Sequence, residues 1–469
     1  MDQRLRQRRM TQRGRLTLST AVAAAFVALV WLADPIDPVL AALQPEPTTV
    51  PPVSAAPVSP PPAADPKLEE SVLDALRGRL PVTRAALELP VRPGSTSAEE
   101  GDGRLYEEVD VSAYPAGPLR VDYTLDAELT RHVHRVLRQG RVEFGNVVLL
   151  DPNSGRLLAY AATDVEHFPP TRAYPAASLV KVITAAAALD RAPNAARLPC
   201  RYRGSPYRLT PSRIDPPAQG HTVTLRRALA TSNNQCFAQL AVHALGVGPL
   251  LEAIDRFGWL TEPAPAHAAG SAEPGEERFD VGRLGCGLAG CRITPLHAVQ
   301  LAASLVHGEL VAPRWIERVA DAGGREFPLP SQAAPRRVLS PELTAELRSM
   351  LVDTTRIGTA RSAFRGRGGA PLLGPVAVAG KTGSLTGKSP DGRYEWFIGV
   401  APADNPRVAV AVVLVQNDLW WRNASQIAAS VLQGVFCEKR RCSPENASRF
   451  IQVPETTAAL ARVASLSAR

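Results

Sequence analysis

Tyr174-Pro175-Ala176-Ala177-Ser178-Leu179-Val180-Lys181 decides the reading of this chain of 469 residues. It sets a serine and a lysine three residues apart at the start of a predicted helix, Ser178 to Asp190, so that both side chains share one face. Lysine is scarce here: Lys67, Lys181, Lys381, Lys388 and Lys439 stand among 53 basic residues, the rest being arginine. Guanidinium serves a solvated surface as well as ammonium does, but it cannot release its proton in a protein, whereas a desolvated lysine can. The retained lysines therefore point to chemistry. The positive end of the helix favours a developing alkoxide or oxyanion beside Ser178, and a neutral Lys181 can take the hydroxyl proton. Standing alone, Ser-x-x-Lys is weak evidence, and a solvated helix face is the plainer reading.

Two further elements give it company. Ser232-Asn233-Asn234 follows the predicted helix Leu225 to Ala230, and a Ser and an Asn two apart on a loop can both enter a cleft, one as a proton relay, the other as an orienting amide. Lys381-Thr382-Gly383-Ser384 ends a predicted strand, Val376 to Thr382, in hydroxyls, with a glycine that lets a ligand backbone approach closely. Each could be an ordinary turn; their order and their use of two scarce lysines make them one set.

Around these motifs the pattern is α/β, more specifically α+β, with a central antiparallel sheet faced by helices. Asn146 to Leu150 and Arg156 to Tyr160 flank the turn-rich Asp151-Pro152-Asn153-Ser154-Gly155. Far along the chain, Trp396 to Val400 and Val408 to Val415 are β-rich runs joined by Ala403-Asp404-Asn405-Pro406. Between them lie predicted helices Gln235 to Leu245, Pro295 to Val306 and Pro341 to Val352, with Ala424 to Phe436 last. Strands from both ends with helices inserted between them predict one sheet and a helical lobe.

With these motifs the chain resembles the penicillin-binding protein transpeptidases, serine enzymes that cross-link peptidoglycan and belong to the β-lactamase-like superfamily. The three elements match that family's Ser-x-x-Lys, Ser-x-Asn and Lys-Thr-Gly triplet. Tyr123-Thr124-Leu125-Asp126 with Val147 to Gly155 looks like the family's leading segment. Gly285-Cys286-Gly287 with Thr294-Pro295-Leu296 looks like its mid-domain signature, and Trp396-Phe397-Ile398-Gly399 with Ala401-Pro402 like the strand after Lys-Thr-Gly. The match covers about Val121 to Phe436. The resemblance implies a substrate stem peptide ending in D-Ala-D-Ala, attacked by Ser178 with Lys181 as base. It implies Ser232 as proton relay to the leaving D-Ala and Asn234 as the group holding Lys181 and the substrate amide. Lys381, counted with the catalytic set, joins Thr382, Gly383 and Ser384 around the terminal carboxylate, and backbone N–H groups of Ser178 and Ser384 form the oxyanion hole. An amine of a second stem peptide takes the acyl group, β-lactams trap Ser178, and no cofactor or metal is expected.

Departures from the family bear on partners. No room is expected upstream for a glycosyltransferase domain, which makes a separate glycosyltransferase a candidate partner, and Leu68 to Leu119 is short for the usual pedestal domain. Ser384 stands where threonine is common. Within the same fold, a β-lactamase or penicillin sensor is the alternative, but no asparagine between Asn234 and Asn405 can complete a Glu-x-x-x-Asn deacylation loop. Polar Asn234 argues against the carboxylated-lysine device. A D,D-carboxypeptidase remains open, and a catalytically silent wall scaffold would have no reason to keep Lys181 and Lys381.

The N-terminus predicts the location. Six arginines before residue 16 precede an uncharged apolar run, residues 16–33, long enough to span a bilayer as a helix. The flanking charge puts residues 1–15 in the cytoplasm and the catalytic domain outside the bacterial inner membrane. A cleavable signal peptide is the competing reading. A Pro-rich linker, residues 34–66, reads as a stiff tether. Leu68, Val72, Leu73, Leu76 and Leu80 then mark a helix in a small segment, 67–120, with an irregular acidic stretch through Asp110. The transpeptidase-like domain runs over 121–440 and a tail over 441–469.

Those arginines, less Asp2, carry +5 of the formal +8, leaving about +3, which gives no reason to propose nucleic acid as a partner. Six cysteines in an exported chain permit disulfides. Proximity pairs Cys286 with Cys291, Cys437 with Cys442 and Cys200 with Cys236, and buried free thiols are the alternative. His132 and His134, two apart on a helix, lack metal-ligand spacing.

Overall fold

The computed structural model describes residues 66–76, 104–112, 114, 116–416, 421–439 and 441–451. All lie in the unit spanning 64–469. The membrane anchor expected over 16–33, and the linker up to residue 65, fall outside the described residues. Among the described residues no single helix is long and apolar enough to cross a membrane.

The run Val408–Gln416 is the centre of the molecule. Its residues alternate between two cores, with Val408, Val410, Val412 and Leu414 in one and Ala409, Ala411, Val413 and Val415 in the other. A strand covered on both faces loses the apolar-polar alternation of a half-exposed one, because both rows of side chains leave water. It pairs antiparallel with Gly392–Ala401 on one side and Phe144–Leu150 on the other. Ala379–Gly387 and Leu157–Ala162 complete a five-stranded antiparallel sheet as its two edges. Helices Ala127–Gln139 and Ala424–Phe436 cover one face.

Helix Pro295–His307 lies across the other face and is buried along nearly its whole length. Thr294 caps it, accepting from the His297 N–H, and Pro295 fits a first turn where no N–H partner is needed. Beyond it stands the helical lobe, inserted between the strands Leu157–Ala162 and Ala379–Gly387, with Val180–Arg191 as its buried central helix.

Several elements depart from expectation. The acidic stretch ends in a strand, Arg104–Val109, paired with Leu119–Asp126 in a second, four-stranded sheet, so β-structure continues upstream of Val121. Leu105 and Val109 are buried, and Glu107 between them accepts a hydrogen bond from the Tyr123 hydroxyl at 2.8 Å. A carboxylate in the inward row hides the period-two signal. The helix with Val72 and Leu76 on its buried face spans Pro66–Leu76. The strand read as Val376 to Thr382 runs instead over Ala379–Gly387. Gln235 to Leu245 divides into an α-helix, Asn234–Gln239, and a π-helical turn, Leu240–Leu245.

Of the three cysteine pairs, Cys200–Cys236 and Cys437–Cys442 are disulfides. Cys286 and Cys291 are not joined; both are free and buried. Cys286 closes helix Arg278–Cys286 while Cys291 opens a strand, and nearness in sequence says nothing of where two side chains point.

Candidate active site

Ser178 sits in a single 3-10 turn, Ala177–Leu179, directly ahead of helix Val180–Arg191. The chain reaches that turn through Ala177 in the left-handed region, φ 49°, an uncommon conformation for a residue with a Cβ. Two neighbours hold it there. A Cβ on Gly287, itself at φ 75°, would lie 1.9 Å from the Ala177 carbonyl oxygen, so only glycine allows this approach. Gly383 faces the other side of the turn, where an added Cβ would meet Ala177 Cβ at 3.2 Å. At Gly383 the space an added Cβ would take is thus bounded by the serine turn itself.

Lys181 follows one helical turn after Ser178 and is wholly buried. Its Nζ lies 2.6 Å from Ser178 Oγ, 2.7 Å from Asn234 Oδ1 and 2.7 Å from the Cys286 carbonyl oxygen. The last two can only accept. A neutral amine has two N–H groups and one lone pair, so with both N–H groups given to Asn234 and Cys286 the lone pair is left for the Ser178 hydroxyl proton. Burial brings the Lys181 pKa down to about 8.

Asn234 opens helix Asn234–Gln239, capped by Asn233, whose Oδ1 accepts from the Cys236 N–H. Its amide donates to the Tyr207 carbonyl at 2.7 Å, which fixes Oδ1 towards Lys181. Ser232 takes a positive φ of 56°, turning its side chain to the second lysine. Lys381 Nζ donates to Ser232 Oγ at 3.0 Å and to the Thr382 carbonyl at 2.8 Å. Burial, and then the charge of Lys181, hold its pKa well below the ordinary range. The two lysines, far apart in sequence, thus each hold a serine hydroxyl.

Ser178, Ser232, Asn234, Thr382, Gly383 and Ser384 line one cavity of about 400 Å³. Lys181 and Lys381 lie behind that lining. Sequence reading missed further residues of this wall, Thr359, Arg393, Tyr207 and Glu395 among them. Thr359 Oγ1 lies 2.6 Å from Thr382 Oγ1, and Arg393 donates from Nε to Ser384 Oγ at 2.6 Å. Tyr207 presents a largely exposed ring, and Glu395 a buried carboxylate. Arg393 and Glu395 stand just before the quoted Trp396 segment, and its signal stops short of them; Thr359 and Tyr207 carry none.

The arrangement can activate a hydroxyl without histidine and deliver protons from two sides of one cleft.

The family profile described as "Penicillin binding protein transpeptidase domain" matches residues 145–436. The peptidoglycan D,D-transpeptidase PbpA of Mycobacterium tuberculosis is 27% identical over 318 residues, covering 58% of this chain and 62% of that protein. FtsI of Escherichia coli, also named a peptidoglycan D,D-transpeptidase, is 25% identical over 338 residues, covering 66% of this chain and 54% of its own length. The chain thus spans less than two thirds of these relatives. The crystal structure of PBPA from M. tuberculosis superposes with a TM-score of 0.54 at 23% identity, covering 67% of this chain and 81% of that one, and shows the same fold. Because the profile takes in more than half of its residues, strands from both ends of the sheet and the whole inserted lobe included, this chain belongs to the penicillin-binding protein transpeptidase family.

Proposed function

We propose that this protein is a peptidoglycan D,D-transpeptidase that works through an acyl-enzyme on Ser178 and binds penicillin. The hydrogen bonding of Lys181, with two fixed acceptors and a lone pair left for Ser178 Oγ, supports this reading above any other observation. Ser178 Oγ bonds the penultimate carbonyl carbon of a stem peptide ending in D-Ala-D-Ala, and its proton passes to Lys181. Backbone N–H groups of Ser178 and Ser384 receive the oxyanion. The C–N bond to the terminal D-Ala then breaks. Ser232, held by Lys381, relays the proton to the departing amine, while Thr382, Gly383 and Ser384 hold its carboxylate.

In the second half an amine of another stem peptide bonds the acyl carbon, the ester C–Oγ bond breaks, and the amine's proton returns to Ser178. A β-lactam enters as the dipeptide does and stays on Ser178. Residues 16–33 anchor the chain in the inner membrane, 34–66 tether it, and the domain over 121–440 faces outward, with a glycosyltransferase as partner.

The test is incubation of the purified protein with a fluorescent penicillin, followed by intact mass over hours beside Ser178→Ala. A persistent adduct absent from the variant is expected. A transient adduct would instead make the protein a β-lactamase, and none on folded protein would leave a silent scaffold.

A further inference from the structure

The orientation of Asn234 depends on a carbonyl in an exposed loop. That loop, residues 203–220, joins the paired strands Pro199–Tyr202 and His221–Thr224, and its first part, residues 203–208, is exposed or half-exposed. Little apolar burial is available there to fix a backbone group in place. Yet the Tyr207 carbonyl takes the Asn234 amide N–H at 2.7 Å, and that bond turns Oδ1 towards Lys181.

The residue after Asn234 holds the loop. Gln235 is wholly buried and does not line the cavity. Its Nε2 donates to the Arg203 carbonyl at 2.9 Å and to the Ser205 carbonyl at 2.7 Å, which uses both N–H groups. Its Oε1 accepts from the Arg203 N–H at 3.3 Å. The Pro206 carbonyl in turn accepts from the backbone N–H groups of Asn234 and Gln235, at 2.9 and 3.4 Å, donors that the first turn of a helix leaves without partners of its own. Arg203, Ser205, Pro206 and Tyr207 are thus pinned to two adjacent residues. An apolar side chain of the same size at 235 would make none of the three side-chain bonds.

We propose that Gln235 is a positioning residue for acylation: it pins the loop that fixes the Tyr207 carbonyl, which orients the Asn234 amide, which aims Lys181 at Ser178. The assignment rests on the acyl-enzyme reading of this cleft and adds to it a residue outside the three motifs. Without the strap, the Asn234 amide can turn its N–H groups towards Lys181. An ammonium suffers more than a neutral amine from the loss of an acceptor, so Lys181 then titrates at lower pH, while its lone pair is no longer held on the Ser178 hydroxyl. The titratable groups facing Lys181 are the Cys286 thiol and Lys381, and a change at Gln235 removes neither.

The experiment follows acylation of the full chain by a fluorescent penicillin from neutral to alkaline pH, with folding checked by thermal unfolding. Gln235→Met is expected to lower the plateau rate about tenfold or more and to move the rising limb to lower pH than in wild type. Gln235→Asn keeps a buried amide one methylene short of the two carbonyls, and should show both changes in smaller degree. Gln239→Met is the control. It removes the bond from Gln239 Nε2 to the Arg201 carbonyl at 3.0 Å, on the same hairpin but one helical turn further from Asn234. It should lower stability while keeping the limb in place and the plateau within about twofold. A limb at or above the wild-type pH in the Gln235 variants, the same kinetic changes in Gln239→Met, or failure of both Gln235 variants to fold would overturn the assignment. Wild type that takes no label would be a different result, removing the acyl-enzyme reading itself.

Discussion

Lys181 must lose a proton before it can accept one, and that requirement has a measurable consequence. With a pKa of about 8, the neutral amine is about a tenth of the population at pH 7. The rate of acylation by a fluorescent penicillin is expected to rise about tenfold per pH unit below 8 and level off above it, because rising pH frees the base. Asn234→Asp tests the origin of that value. A carboxylate 2.7 Å from Nζ favours the ammonium, so the Lys181 pKa rises and the rising limb moves to higher pH. At pH 7 the variant should acylate at least about tenfold more slowly, with the loss largely recovered at high pH. An unshifted profile would mean that Lys181 is not the titrating base. Both lysines were legible in the sequence because arginine replaces lysine almost everywhere else. Arg393 was not, since one arginine among so many carries no mark of its place, and Thr359 meets Thr382 only through the inserted lobe.

The short segment Gly285-Cys286-Gly287 shows how much one element can carry without contributing a side chain to the cavity. The Gly285 carbonyl accepts from Thr184 Oγ1, the Cys286 carbonyl from Lys181, and Gly287 abuts the serine turn. The resemblance marked these residues as a signature, and proximity paired Cys286 with Cys291, with buried free thiols as the alternative; the thiols are free, and the backbone is what matters. Gly287→Ala forces a Cβ to within 1.9 Å of a carbonyl oxygen at φ 75°. It should lower stability by about 1–3 kcal/mol and slow acylation well beyond that, because the turn that shifts is the nucleophile's own. Thermal unfolding read beside labelling rates checks it: loss of stability with normal labelling would show that the turn adjusts elsewhere. The disulfide Cys200–Cys236 fastens helix Asn234–Gln239, and hence Asn234, to the hairpin strand Pro199–Tyr202. Its ends lie 36 residues apart, so loop closure is worth about 3–4 kcal/mol. Cys200→Ser with Cys236→Ser should lower the unfolding temperature by several degrees; an unchanged value would show that packing alone holds this helix.

The sheet is assembled from both ends of the domain, residues 144–162 and 379–416, and this is why its antiparallel strands could be read from local β-patterns while their order and contacts could not. Alternation gives a strand and its faces; it does not say which helix covers which face. That assignment falls to helix Pro295–His307, which lies on the sheet and also touches helix Pro341–Arg356 of the inserted lobe, so the two halves of the cleft share one packed layer. Small residues make the layer thin. Ala409 and Ala411 face it from the central strand, where the opposite face carries Val410 and Val412. Interiors at crystal-like density have no room for three extra carbons at such a point. Ala411→Leu should therefore cost about 1–3 kcal/mol by overpacking, an effect readable as a lowered denaturation midpoint. More tellingly, it should slow penicillin acylation although Ala411 is absent from the cavity wall, because displacing the shared helix moves Lys381 on the sheet relative to Ser232 on the lobe. The conservative control is Val410→Ile on the opposite face, where a comparable stability loss is expected with labelling retained. Equal kinetic losses from both faces would show that acylation merely follows global stability, and that the shared layer does not set the cleft.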